Sequence, residues 1–387
     1  CSQALFSLRN RGNQMKLHGP VGALRGSMDL PGDKSISHRA LLHAALSPHK
    51  SRLQNVLRAG VTTAMITCLR QLGVRIEGEG SDLTVYGGEW RNPDAPLNCG
   101  NSGTTMRLLL GGLAGMPLKV ELTGTEGLQR RPMGRVADPL RAMGAAISAN
   151  NAPLIVRGGG LRGRDHHLQV ASAQVKAALL VAALQAEGPT TIHQPAPSRD
   201  HTERMLRELG INVLSSANTV RLHPDGQPLP PTYLTVPGDF SSAAFLIAAA
   251  VTSPGSQVKL RGVGVNPTRT GFLDALREMG ANISIDNRRK NGGEYVADIT
   301  ASHSHLRAVE IHGNLVVRMI DEFPVFAVMA TQAEGITTVR DASELRVKES
   351  DRISALAAEL RRMGVVIAER TDGFSINGPQ QLSAAKV

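Results

Sequence analysis

The sequence predicts an α/β protein assembled from repeated units, and three observations carry that prediction. An apolar helix, an amphipathic helix and short strand-like stretches recur in one order. Each amphipathic helix stops at Leu-Gly or Met-Gly, and those stops recur roughly every 70 residues along the chain.

The opening helices span residues 39–46, 107–114, 176–184, 243–251 and 323–330. They are apolar nearly all round, so they are expected to be buried. The amphipathic helices span 64–72, 135–143, 202–209, 270–279 and 351–363, and each is followed by a glycine suited to a left-handed C-cap: Gly73, Gly144, Gly210, Gly280 and Gly364. Strands at 84–88, 154–159, 220–223 and 374–378 fill one recurring slot, and the last interval carries an insertion around 287–305. Alternating helix and strand is common in α/β proteins, but five copies sharing both opener and stop make coincidence a poor explanation. After residue 378 the chain runs only to Val387. Five is an odd count for a closed two-domain arrangement, so a sixth unit, or its opening part, is expected to be missing.

Composition narrows the function. Aromatic residues are 3% of the chain, so the core must be aliphatic and stacking platforms for single-stranded nucleic acid are scarce. The net charge of +10 suits an anionic partner, or is general surface charge unless the cations converge. Cys1, Cys68 and Cys99 form no CxxC pair and no zinc-like spacing, which points to a reducing compartment and no metal. No apolar run is long enough for a membrane span. The first 14 residues lack acidic side chains and are faintly transit-peptide-like; upstream sequence before a start at Met15 is the preferred reading.

The turns ahead of the openers are rich in Gly, Ser, Thr and Asp: Pro31-Gly-Asp-Lys-Ser-Ile-Ser-His38, Cys99-Gly-Asn-Ser-Gly-Thr-Thr105, Ala171-Ser-Ala-Gln174 and Pro237-Gly-Asp-Phe-Ser-Ser242. Taken singly, each reads as ordinary N-capping. Free N–H groups and the helix dipole also favour anions there, and Lys34, Arg39 and Arg107 lie in or beside the turns. Lys176 follows the third, as a ligand or as a snorkelling helix residue. Arg130 and Arg131 follow a strand. In Arg346-Val-Lys-Glu-Ser-Asp-Arg352, Ser350 and Asp351 are candidate caps, with Lys348, Glu349 and Arg352 facing a cleft. There is no P-loop and no HExxH, and Gly262-Val-Gly264 lacks the third glycine of a dinucleotide fingerprint.

At Leu30-Pro-Gly-Asp-Lys-Ser-Ile-Ser-His-Arg-Ala40, Gly100-Asn-Ser-Gly-Thr-Thr-Met-Arg107, Arg131-Pro-Met133 and Arg346–Arg352 the chain resembles the EPSP synthases (3-phosphoshikimate 1-carboxyvinyltransferases), from about Met15 to about Gly378. The resemblance implies two inside-out α/β domains of three βαβαββ units each. Residues 1–30 would be a leader and the first strand of the C-terminal half, 31–236 the N-terminal half and 237–387 the C-terminal half with an incomplete third unit. It implies transfer of the enolpyruvyl group of phosphoenolpyruvate to the 5-hydroxyl of shikimate 3-phosphate, without metal or cofactor, in a cytoplasmic monomer that binds neither nucleic acid nor membrane.

By the same resemblance, Lys34 touches both substrates. Ser35, Arg39, Ser172, Gln174, Ser198, Arg199, Asp321 and Lys348 hold shikimate 3-phosphate. Asn101, Gly103, Thr104, Arg131 and Arg352 line the phosphoenolpyruvate site. Asp321 takes the proton of the attacking hydroxyl, and Glu349, with Lys34, serves the methylene carbon. Gly103 is the small residue tied to glyphosate sensitivity.

Departures qualify this picture. The family's Asp-His-Arg stretch and a later lysine have no counterpart before Val387, so weak phosphoenolpyruvate binding and slow turnover are expected. Glu344 stands where some relatives have Asn, and Ala173 where some have Ser. A catalytically impaired polyanion binder stays open. The sister UDP-N-acetylglucosamine enolpyruvyl transferases are disfavoured because Lys34 is followed by Ser35 rather than Asn, and residues 115–130 contain no cysteine.

Overall fold

The computed structural model describes residues 22–348 and 350–386. Glu349 and the leader before Gly22 therefore lie outside the described residues. Among those described, five four-stranded sheets share one pattern. In the first, Tyr233–Thr235 runs parallel to Lys50–Gln54, which pairs antiparallel with Leu83–Tyr86, which pairs antiparallel with Arg75–Glu77. The same order of one parallel and two antiparallel pairings recurs in the sheets centred on Lys119–Thr123, Thr190–His193, Gln257–Gly264 and Gly335–Val339. The insertion around 287–305 forms the long hairpin Asn282–Asn291 and Glu294–Ser302.

Two cores follow from these sheets. One runs from Ile36 to Val236 and is aliphatic apart from Trp90; the other joins Leu30 to residues from Phe240 to Ile376. The opening helices lie inside them. Ala173–Ala183, for example, buries every residue from Val175 to Ala183. The glycine stops at 73, 144, 210, 280 and 364 all adopt positive φ, the conformation glycine reaches without a Cβ clash.

The chain crosses between the halves twice. It leaves the C-terminal half after Arg25–Asp29, which pairs with Gln257–Gly264, and leaves the N-terminal half after Tyr233–Thr235, which pairs with Lys50–Gln54. At the crossing, Gly32 bridges Gly238, which also bridges Val263. A Cβ on Gly32 would fall 1.8 Å from the Asn55 carbonyl oxygen, so no other residue fits.

Four of the five opening helices start about one turn earlier than the apolar pattern predicts, at Lys34, Gly103, Ala173 and Phe240, while the fifth, Phe323–Ala330, starts where the pattern places it. The caps explain the difference. Asp33, Ser102, Ser172 and Asp239 each accept a backbone N–H from the first turn, which extends the helix into the polar stretch. Lys34, Ser35, Gly103, Thr104 and Gln174 thereby become first-turn residues at the helix N-termini.

Candidate active site

The N-terminal half contributes a continuous set of contacts. Lys34 is exposed at the start of Lys34–Leu46, and its N–H donates to Asp239 Oδ2 of the other half at 3.0 Å. Ser35 offers its carbonyl oxygen to Arg39 at 2.9 Å. Arg39 is buried at 3% exposure and also donates to Thr202 Oγ1 at 2.7 Å and to the Ala173 carbonyl. It ties three helices together beneath the surface. Gln174 donates to Thr104 Oγ1 at 2.8 Å and accepts from Arg107 at 2.6 Å. Ser172 caps its helix by accepting from Val175 at 3.4 Å, and Asn101 lies exposed in the neighbouring turn, accepting from Thr125.

Gly103 shows why that turn carries no side chain. A Cβ there would sit 2.8 Å from Arg107 Nη1 and 3.0 Å from Arg131 Nη1. Two guanidinium groups thus converge over a helix N-terminus, a concentration of positive potential suited to a phosphate or carboxylate. Arg130, by contrast, is exposed and pairs with Glu126 at 3.7 Å.

The C-terminal half supplies the carboxylate. Asp321 is half-buried, 2.7 Å from Arg199 of the N-terminal half and 3.2 Å from Arg352. Burial alone would raise its pKa, but Arg199, Lys34, Arg352 and Arg269 outweigh burial and hold the carboxyl far below its ordinary range. Lys348 lies 3.6 Å from Glu344, which also pairs with Arg135 of the other half at 3.5 Å. The cap expected at 350–351 falls to Asp351, which accepts from Ile353 and Ser354.

Some side chains differ from expectation. Lys176 does not snorkel: it is buried at 2% exposure, 2.6 Å from Glu203 and 3.2 Å from the Ser198 carbonyl. Ser198 is buried, its hydroxyl donating to Gln194. Arg346, not among the residues expected to face the cleft, pairs with Asp351 and Glu369 and donates to the Thr371 carbonyl. A separate cavity lined by Arg277, Arg288, Arg289, Lys290 and Arg318 includes none of the predicted site residues.

Sequence reasoning passed over a buried layer under this cluster. His201 and Glu294 pair at 2.8 Å across the halves, and Asn266 donates to Asp200 at 2.7 Å and to Glu294 at 3.0 Å. Arg269 pairs with Asp33. One signal was available: Arg269 directly precedes a helix N-terminus, where a cation is disfavoured by the dipole unless a partner holds it.

A model of the EPSP synthase family, 3-phosphoshikimate 1-carboxyvinyltransferase, matches residues 19–387. The chain belongs to the EPSP synthase family. It is 47% identical over 380 residues to the 3-phosphoshikimate 1-carboxyvinyltransferase of Syntrophomonas wolfei, covering 96% of this chain and 89% of that protein. It is 48% identical over 377 residues to the Geobacillus kaustophilus protein of the same name, covering 96% and 88%. The EPSP synthase structure from Acinetobacter baumannii superposes with a TM-score of 0.84 at 40% identity, covering 94% of this chain and 84% of that one. The family assignment agrees with the mixed α/β architecture. Among the described residues, no helix is long and apolar enough to cross a membrane.

Proposed function

We propose that this member of the EPSP synthase family transfers the enolpyruvyl group of phosphoenolpyruvate to the 5-hydroxyl of shikimate 3-phosphate, releasing phosphate. Family membership supports the reaction. The observation that carries the residue assignment is Asp321, a carboxylate held between Arg199 of one half and Arg352 of the other.

Both substrates carry a phosphate and a carboxylate, so their site needs several cations to offset desolvation. Lys34, Arg131, Arg199, Lys348 and Arg352 supply them in this reading. Asn101, Gly103 and Thr104, beside Arg131, receive phosphoenolpyruvate. Ser35, Arg39, Ser172, Gln174 and Ser198 lie on the side assigned to shikimate 3-phosphate.

Protonation of the phosphoenolpyruvate methylene makes C2 electrophilic, and the 5-hydroxyl oxygen adds there while its proton passes to Asp321. Collapse expels phosphate, and loss of a methyl proton restores the double bond. Lys34 and Glu349 serve the methylene carbon. Asp321 is a weak base while four cations surround it. Substrate phosphates that draw Arg199, Arg352 and Lys34 to themselves remove that stabilisation, and the carboxylate gains basicity when the hydroxyl is in place.

Phosphate release tests the reading. It should require both substrates together and fall sharply in Asp321→Asn. Release with phosphoenolpyruvate alone, or an undiminished rate in the variant, contradicts it.

A further inference from the structure

Arg269 is almost fully buried, at 3% exposure, in the junction between the halves. One nitrogen of its guanidinium, Nη1, pairs with Asp33 of the N-terminal half. The other, Nη2, donates to Ser241 at 2.8 Å and lies 3.7 Å from Glu322. Ser241 in turn donates to Glu322 Oε1 at 2.6 Å. The guanidinium also lies over the Phe240 ring, 5.6 Å from its centroid.

The partners sit beside the reacting groups in sequence. Asp33 precedes Lys34 and caps its helix, accepting from Ile36 at 2.9 Å. Glu322 follows Asp321 and is buried at 1% exposure. The fork therefore grips the backbone neighbour of Lys34 with one arm and that of Asp321 with the other.

We infer that Arg269 is a positioning residue for enolpyruvyl transfer, setting the separation of Lys34 and Asp321 across the junction by holding Asp33 to Ser241 and Glu322. The inference rests on the roles proposed above for Lys34 and Asp321. A planar fork fixes two partners at once, whereas an ammonium offers a single point of attachment. Buried charges are a poor source of net stability compared with apolar packing, so the network's effect is expected in geometry. A displacement of about 1 Å between reacting groups costs on the order of 100-fold in rate.

The test compares four full-chain variants with the wild type: Arg269→Lys, the double change Asp33→Asn with Arg269→Gln, Lys34→Ala and Asp321→Asn. The double variant removes the Arg269–Asp33 charges as a pair, leaves Glu322 its hydrogen bond from Ser241 and keeps an N-cap acceptor in Asn, so it decides the matter should Arg269→Lys fail to fold. Initial rates with both substrates give kcat and each KM per folded molecule, with folding followed by circular dichroism. The expected result is a folded Arg269→Lys or double variant whose kcat drops about 10- to 100-fold while both KM values stay within about threefold. An unchanged kcat per folded molecule overturns the inference, as does a loss confined to KM. Wild-type kcat in Lys34→Ala or Asp321→Asn overturns the underlying role assignment instead, whatever Arg269 does.

Discussion

The Asp321 carboxylate stands 2.7 Å from the Arg199 guanidinium, and this ion pair joins the two halves at the site where the substrates are proposed to meet. The acid is thereby ionised, held in place and kept from acting as a strong base until the cations find other anions.

Asp321→Asn should lower kcat by about 100- to 10,000-fold in a phosphate-release assay, with the circular dichroism spectrum unchanged. Its stability has a defined pH signature. The Asp321 pKa is depressed in the folded chain, so its stabilisation is present above the unfolded value of about 3.9 and is lost as pH falls below it. Urea unfolding of wild type and variant should therefore differ most near neutral pH and converge in acid. A gap independent of pH would contradict the account.

Gly103→Ala places a methyl group against Arg107 and Arg131. One or both guanidinium groups must shift, so KM for phosphoenolpyruvate should rise by about tenfold, the equivalent of 1.4 kcal/mol. KM for shikimate 3-phosphate should move little. Equal changes in both KM values would show that the two cations do not serve one substrate.

The apolar opening helices and the glycine stops were legible because apolar periodicity and Leu-Gly or Met-Gly ends are local signals. Four of the helix starts were less so, because Asp33, Ser102, Ser172 and Asp239 extend those helices by about a turn through capping bonds. The turns drew attention to Lys34, Arg39 and Arg107 because cations lie in or beside them in sequence, whereas the roles of Gly103 and Arg131 came from the family resemblance. Asp321 entered through family resemblance alone, and nothing in the chain linked it to Arg199, more than 100 residues away. Arg269, Glu322 and the His201–Glu294 pair depend on how the halves meet. Lys176 reads as surface-seeking until its long-range partner Glu203 is known.

That buried pair makes its own prediction. Lys176→Met leaves the Glu203 charge without its 2.6 Å partner, and denaturant unfolding should show a loss of about 3–5 kcal/mol. Adding Glu203→Leu to the same chain should restore most of the loss. A double variant as unstable as the single one would mean the pair matters for reasons other than charge.

His43 is fully buried, with neither ring nitrogen hydrogen-bonded. Burial, reinforced by Arg39, lowers its pKa to about 3. The unfolded chain binds a proton below about pH 6.5 that the folded chain refuses, so stability falls as pH drops from 6.5 towards 3, by about 2 kcal/mol at pH 5. Replacing His43 with leucine should flatten that stretch of the stability–pH curve by this amount. An unaltered slope would place the acid sensitivity elsewhere; His38, lowered to about 4 chiefly by burial, is the next group to substitute.

The most direct measurement is a crystal structure of the chain bound to shikimate 3-phosphate and phosphoenolpyruvate, or an unreactive analogue of the latter. The account predicts the shikimate 5-hydroxyl within hydrogen-bond distance of Asp321, about 2.6–3.2 Å, with the second phosphate against Arg131 and Arg352 over the Gly103 helix end. Density for both ligands away from Asp321 and Lys34, with the Arg199–Asp321 pair undisturbed, would contradict it.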